Sequence, residues 1–290
     1  MSQHEARPGL AQLVEALATV PEIHPRTHPM WKVMDTFAQG EAAQIFSGSK
    51  TETQLTGIFE GLQFPFHKMG TITSLHLFGL DELILFSFYW TNRGRYKKAL
   101  DLGANIGLHS ILMAKCGFQV RSYEPDPQSY NVLCKNLELN RVKSVEPINA
   151  AVSTKTGTME FVRVLDNLTG NHLVGAKSGA YGNLQTIPVK VEEFAPLLRS
   201  ADFAKIDVEG HEREILLSTR REDWVATDAI VEIGTEGNAA AVYDHFREIS
   251  VPLYSQKLGW GRVRTLNDMP TSYRDGSLFI SCKSEMPWKK

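Results

Sequence analysis

Lys97-Lys98-Ala99-Leu100-Asp101-Leu102-Gly103-Ala104-Asn105-Ile106-Gly107-Leu108-His109-Ser110 reads as a strand that stops at a turn and restarts as a buried helix. Ala99 to Leu102 is apolar apart from Asp101, and Ile106 to Ala114 has the apolar spacing of a helix. Gly103 and Gly107 can take backbone angles closed to other residues, and Asn105 tolerates a left-handed turn position better than most. A strand-turn-helix of this kind aims the free N–H groups of the helix start into a crevice that favours a carboxylate or phosphate. Gly103, Ala104, Asn105 and Gly107 are therefore candidate ligand-binding positions.

Working outward, Gln119 to Tyr123 is a second short strand that ends in Glu124-Pro125-Asp126-Pro127. An acidic residue roughly 20 residues beyond a glycine turn, at the tip of the next strand, is where α/β nucleotide-binding folds accept hydrogen bonds from ribose hydroxyls. Glu124 suits that role. A dinucleotide fingerprint needs G-x-G-x-x-G, but here Asp101 stands where its first glycine would be, giving D-x-G-x-N-x-G. An anionic side chain there repels a diphosphate and suits a ligand with a cationic end. S-adenosylmethionine, with its ammonium and sulfonium, is favoured over NAD.

From Lys97 onward strands and helices alternate, which implies a parallel sheet with helices on both faces. Helix Ile106–Cys116 follows the first strand, and helix Pro127–Asn140 follows the second, with Pro127 suited to a first-turn position. Val145 to Val152 is expected as the third strand, and Asn149 and Ala150 near its end fall where a nucleotide's base would lie. Thr158–Val164 and Leu184–Val191 alternate as strands of a β insertion, with Gly170-Asn171-His172 and Gly175 to Asn183 as loop between them. Val191–Leu198 is expected as a short helix. Phe203 to Glu212 is the fourth strand and its exit and Ala229–Ile233 the fifth strand, with helix Asn238–Ile249 after it and final strands at Leu253–Gln256 and Leu278–Ser281.

Upstream, Pro8–Val20, Trp31–Ala38 and Leu80–Trp90 read as helices around the proline-spaced connector Pro21 to Pro29. His24 and His28 in that connector have no further ligand near them and read as loop residues. Ile58 to Phe66 reads as core packing. The expected organisation is an N-terminal extension at 1–94, acting as an acceptor-side cap, and a donor-binding domain at 95–290.

Composition bounds the function. The 290 residues are 42% hydrophobic and 22% charged, as in a soluble globular protein, and the net charge of −2 argues against a nucleic-acid partner. Three widely spaced cysteines, Cys116, Cys134 and Cys282, suit reduced thiols rather than a disulfide framework. Cys116 and Cys134 read as core filler. No signal-peptide pattern opens the chain, and its most hydrophobic window, Leu75 to Trp90, is broken by Asp81-Glu82 and too short to span a bilayer. The expectation is a soluble, cytoplasmic protein, with a homo-oligomer left open.

A second constellation lies in Lys205-Ile206-Asp207-Val208-Glu209-Gly210. Side chains alternate along a strand, so Lys205, Asp207 and Glu209 share one side, at the strand end where open α/β sheets bind ligands. Methyl transfer to an alcohol needs an acceptor held in line, water kept out and a proton accepted. Asp207, Glu209 or His211 could take that proton, Asp207 could instead hold the donor's ammonium or a divalent metal, and His172 could reach the acceptor. His109 is a further candidate at the helix start.

These residues resemble the FkbM-type methyltransferases. The pieces that match are Asp101-Leu102-Gly103-Ala104-Asn105-Ile106-Gly107, Glu124-Pro125, Gly170-Asn171, Lys205 to Gly210 with Glu212, and Glu232. The resemblance covers about Lys97 to Tyr254. It implies a class I methyltransferase fold, a Rossmann-like doubly wound sheet of seven strands whose last runs antiparallel. It also implies S-adenosylmethionine-dependent O-methylation of a sugar, polyketide or similar natural product. Asp101, Gly103, Asn105, Gly107 and Glu124 are then donor-binding positions. Leu108-His109 replaces the aromatic common after the second glycine. Competing readings are an RNA or protein acceptor, a non-catalytic domain that binds the donor, and a NAD-binding oxidoreductase.

Overall fold

The computed structural model describes residues 9–46, 56–69, 72–164, 170–176 and 183–288. Residues 177–182 of the expected Gly175–Asn183 loop lie outside them. An N-terminal segment carries α1 (Leu10–Leu17), α2 (Pro29–Phe46), the short pair β1 (Lys68–Met69) and β2 (Ile72–Thr73), and α3 (Leu80–Thr91). The alternating part then runs β3 (Lys98–Leu102), α4 (Leu108–Lys115), β4 (Gln119–Tyr123), α5 (Pro127–Leu139) and β5 (Val145–Ile148). An insertion follows, with β6 (Ala151–Ser153), β7 (Gly157–Val164), β8 (His172–Leu173) and β9 (Leu184–Glu193). The chain continues through α6 (Phe194–Arg199), β10 (Phe203–Ile206), α7 (Glu212–Leu217), β11 (Asp228–Glu232), α8 (Glu236–Glu248), β12 (Leu253–Ser255), β13 (Gly261–Arg262) and β14 (Ser277–Ile280).

The main sheet is ordered β5-β4-β3-β10-β11-β14-β12-β13. β5 to β11 run parallel, and β14 runs antiparallel between β11 and β12. This is the class I methyltransferase arrangement, with the two-residue β13 added at one edge to make eight strands instead of seven. Strand alternation divides the core. Ala99, Val120, Phe203, Ile230 and Phe279 face α3, α4 and α5, whereas Leu100, Leu102, Ala204, Ile206, Val231 and Ile280 face α6, α7 and α8. Each large apolar side chain removed from water in this way contributes about 1.5–3 kcal/mol.

Three expectations are corrected by strand pairing. The third strand does not run from Val145 to Val152: it breaks at Asn149-Ala150, because β5 stays on β4 while β6 pairs with β9 in a separate sheet ordered β6-β9-β7-β8. The expected helix at Val191 starts only at Phe194, since Val191, Glu192 and Glu193 are held as strand by Ala151, Val152 and Ser153. His172 is not in a loop, because His172 and Leu173 pair with Val162 and Phe161.

The N-terminal segment shares one apolar core with α3, α4 and α5, to which Leu10, Val14, Leu17, Ile58 and Phe59 belong. Cys116 is in the same core and Cys134 packs against it. Residues near the other end of the chain join them. His24, expected in a loop, is fully buried, with Nε2 3.0 Å from the Leu17 carbonyl and Nδ1 accepting from the Trp260 indole N–H at 2.8 Å. Burial pulls its pKa down to about 4, against the carbonyl of Leu17, so the ring stays neutral. Gln256 adds a bond to Asp81 at the start of α3. Among the described residues no helix is long and apolar enough to cross a membrane.

Replacing His24 with Ala leaves the buried Trp260 N–H unpaired, at about 1–3 kcal/mol, and removes one of the two bonds to the Leu17 carbonyl, which keeps the Val20 N–H at 3.2 Å. Urea unfolding of His24→Ala is expected to show a stability loss of about 1–3 kcal/mol; a midpoint equal to that of the parent would show that this clamp contributes nothing.

Candidate active site

A cavity opens at the carboxyl ends of β3, β4, β5 and β10. Its floor is the turn after β3. Gly103 (φ +77°) and Ala104 both donate their N–H to the Tyr123 carbonyl at 3.0 Å, which folds the chain back over β4. Asp207, leaving β10, donates its N–H to Leu102 at 3.0 Å and passes so close that a Cβ on Gly103 would lie 1.8 Å from the Asp207 carbonyl oxygen. Only glycine fits there. Gly107 (φ +89°) opens α4, and Asn105 takes the left-handed region at φ +50°.

Glu124 ties the turn to the tip of β4. One carboxylate oxygen accepts from the Asn105 N–H and the other from the Asp126 N–H, both at 2.8 Å. Burial drives its pKa up to about 8, against the pull of those two bonds and with a push from the Asp126 and Asp101 carboxylates. Asn149 does not face the cavity. Its side-chain amide donates to the Glu124 and Pro125 carbonyls at 2.8 and 3.1 Å, bracing the loop, while Ala150 forms cavity wall. With Val152, Phe161 and Leu173, Ala150 makes an apolar slot between the main sheet and the insertion.

Asp101 lies beneath the turn and not in the cavity wall. It is fully buried, accepts from the Ser110 hydroxyl at 2.5 Å and stands 4.0 Å from the Lys205 ammonium. Lys205 in turn reaches Asp207 at 3.2 Å and the Gly103 carbonyl at 3.5 Å. Burial works against the charge on Lys205, but the Asp207, Asp101 and Glu82 carboxylates together hold its pKa above the ordinary lysine value.

Asp207 and Glu209 both line the cavity. Glu209 sits at φ +57°, costly for a side-chain-bearing residue. The turn is held by Glu212, whose carboxylate accepts from the Val208 N–H at 2.9 Å and the Gly210 N–H at 3.0 Å. Burial, aided by Asp207, raises the Glu212 pKa to about 7. Glu232, at the end of β11, is pushed well above the ordinary carboxylate range by burial and then by Asp207 and Glu82.

Two expected catalytic residues are not brought to the wall. His211 faces β6, with Nε2 2.9 Å from the Ser153 hydroxyl, and burial lowers its pKa. His172 is buried in β8, with Nδ1 2.8 Å from the Gly170 carbonyl; its neighbour Asn171 lines the cavity instead. Conversely, His109 does line it, held between the Tyr89 hydroxyl and Glu82 at 3.0 Å each. Sequence reasoning passed over Glu82, although a carboxylate pair interrupting an otherwise apolar helix was the available signal.

The residues present fit S-adenosylmethionine. The apolar slot suits an adenine ring, Glu124 suits ribose hydroxyls, and the carboxylates at the β10 end suit a sulfonium and an ammonium. Asn105 Oδ1, buried beside the turn, has no protein partner. Among the described residues no three His, Cys, Asp or Glu side chains are grouped to hold a metal ion.

Because the Glu124 pKa is raised in the fold, its contribution to stability is fully present below about pH 4.5 and is lost as pH rises through about 8. Melting temperatures of the ligand-free protein across that window are expected to fall more steeply with pH for the parent than for Glu124→Gln. Parallel curves would mean that the group titrates normally.

Comparison with known proteins gives the same reading. The family model described as "Methyltransferase FkbM domain" matches residues 101–251, a span that holds the glycine turn, Glu124 and the exit of β10. Methyltransferase sdnD of Sordaria araneosa is 28% identical over 168 residues, 46% of this chain and 64% of the relative. Hexuronic acid methyltransferase AglP of Haloferax volcanii is 26% identical over 135 residues, 46% of this chain and 54% of the relative. The chain therefore spans less than two thirds of the length of either relative. With the glycine turn, Glu124 and the Lys205 strand all inside the matched span, the chain belongs to the FkbM methyltransferase family.

Proposed function

We propose that this enzyme methylates a hydroxyl group of a small molecule or glycan, with Asp207 taking the hydroxyl proton. The observation that carries the reading is the position of Asp207, which lines the cavity at the carboxyl end of β10 with Lys205 3.2 Å away. The bound donor supplies a methyl group made electrophilic by its sulfonium. Asp207 accepts the O–H proton as the acceptor oxygen gains the methyl and the carbon–sulfur bond breaks, leaving S-adenosylhomocysteine. Lys205 fixes the Asp207 carboxylate, and Glu209, on a strained turn, faces the same end and can orient further hydroxyls.

The N-terminal segment, through Leu77 and Glu82, and the insertion, through Phe161, Asn171 and Leu173, wall the cavity on two sides. Both therefore act in acceptor choice and in excluding water, and residues 1–94 serve as a cap on the methyltransferase domain at 95–290. The name of one relative, a hexuronic acid methyltransferase, supports a polyhydroxylated acceptor.

S-adenosylhomocysteine at about 100 times its dissociation constant is expected to raise the melting temperature by several degrees, and NADH is expected to have no effect. With sugar acids and polyketide alcohols screened as acceptors, Asp207→Asn is expected to lower turnover about 100-fold or more while S-adenosylhomocysteine still binds. Full activity in that variant would remove Asp207 from the chemistry.

A further inference from the structure

We infer that Glu82, contributed by the N-terminal segment, is the carboxylate that receives the α-ammonium of the methyl donor, and that Tyr89 and His109 hold it there. The inference rests on the donor reading above and extends the donor site to a residue outside the matched 101–251 span.

The order of the strands lays the donor's parts out in a row. β5, β4, β3 and β10 are consecutive neighbours. The adenine slot beside Ala150 lies at the β5 end, Glu124 stands at the tip of β4, and the glycine turn follows β3. An S-adenosyl group whose base and ribose take the first two places must extend its amino-acid part toward β10 and the starts of α3 and α4. The groups that meet it there are Glu82 and His109 on those helices, with Lys205, Asp207 and Glu209 from β10 and its exit.

Of these, Asp207 is already paired with Lys205 at 3.2 Å, whereas among the described residues no lysine or arginine forms an ion pair with Glu82. Its contact is the His109 ring, 3.0 Å from Nε2 to the carboxylate. The Tyr89 hydroxyl lies 3.0 Å from Nδ1 of the same ring. A ring protonated only on Nε2 satisfies all three groups, with Tyr89 donating to Nδ1 and Nε2–H donating to Glu82. Edge contacts from Phe86 and Tyr89, at centroid separations of 5.1 and 5.9 Å, stop the ring from turning. The carboxylate is thus aimed, with no lysine or arginine in direct contact among the described residues. Its other carboxylate neighbour on α3, Asp81, is tied to Arg26 and Gln256, while Leu80, Leu83, Ile84, Leu85 and Phe86 are buried apolar residues. The Glu82 side chain keeps 31% of its surface and lines the cavity. An acceptor for the ammonium explains why a carboxylate stands in such a helix.

The test compares two probes that differ only in the amino-acid part. S-adenosylhomocysteine carries the ammonium, and 5′-methylthioadenosine keeps the base, ribose and sulfur but lacks it. Calorimetric titration of the full chain with each, without any acceptor, is expected to show Glu82→Gln binding S-adenosylhomocysteine about tenfold or more weakly while its affinity for 5′-methylthioadenosine stays within about twofold. Tyr89→Phe, which frees the ring without removing the carboxylate, is expected to show the same selective loss, smaller in size. Unchanged S-adenosylhomocysteine affinity in Glu82→Gln, or an equal loss for both probes, overturns the assignment. If the parent itself fails to bind S-adenosylhomocysteine, the donor reading falls, and this inference falls with it.

Discussion

The Lys205 ammonium, almost wholly buried between Asp101 and Asp207, is the interaction on which the site depends. It joins the two central strands: Lys205 stands opposite Asp101 in the register of β3 and β10, and its side chain also reaches the carbonyl of Gly103. Without this cation, Asp101, Asp207 and Glu82 would face one another in a low-dielectric pocket, and their charges could not all persist. One oxygen of Asp101 has no hydrogen-bond partner even so, which leaves local negative potential under the turn where a cationic ligand would lie. The site is acidic but not self-repelling, and that balance favours a sulfonium over a diphosphate.

The parts of the site that could be read from the sequence are those that local backbone geometry dictates. A glycine at 103 is demanded by the passage of Asp207, and Glu124 needs only a short strand and a tip to reach Asn105. Spacing of this kind survives without knowledge of the rest of the fold. What long-range pairing decides was not legible. The break at Asn149-Ala150, the strand character of Val191 and His172, and the arrival of Glu82 beside His109 each depend on a partner far along the chain. Asp101 is a middle case: its identity separates nucleotide classes, yet it acts from below the turn through Ser110 and Lys205.

The insertion is anchored as firmly as the sheet it leaves. Arg163 on β7 bonds to the buried Asp126 carboxylate at 2.5 Å, and Asp126 also caps α5 through the Ser129 N–H. The Tyr123 hydroxyl donates to Glu192 on β9 at 2.7 Å. His211, though outside the cavity wall, adds a third tie through Ser153 on β6. The wall of the apolar slot and the Glu124 loop therefore share supports, so changes that loosen β7 would be felt at Glu124 without touching a ligand.

The pairing of β3 with β10 has a consequence for how the molecule is made. Ala99 lies beside Phe203 and Leu102 beside Ile206, so the central pair closes a loop that contains both the second half of the donor site and the whole insertion. Such contacts are slow to form because their entropy cost precedes their reward. During synthesis the glycine turn emerges long before the residues that press it into shape, since Asp207 and Lys205 follow about a hundred residues later. A nascent chain ending before β10 would carry the turn and Glu124 but have no floor beneath them. Competence to bind the donor thus arrives late and all at once, when the fourth parallel strand docks.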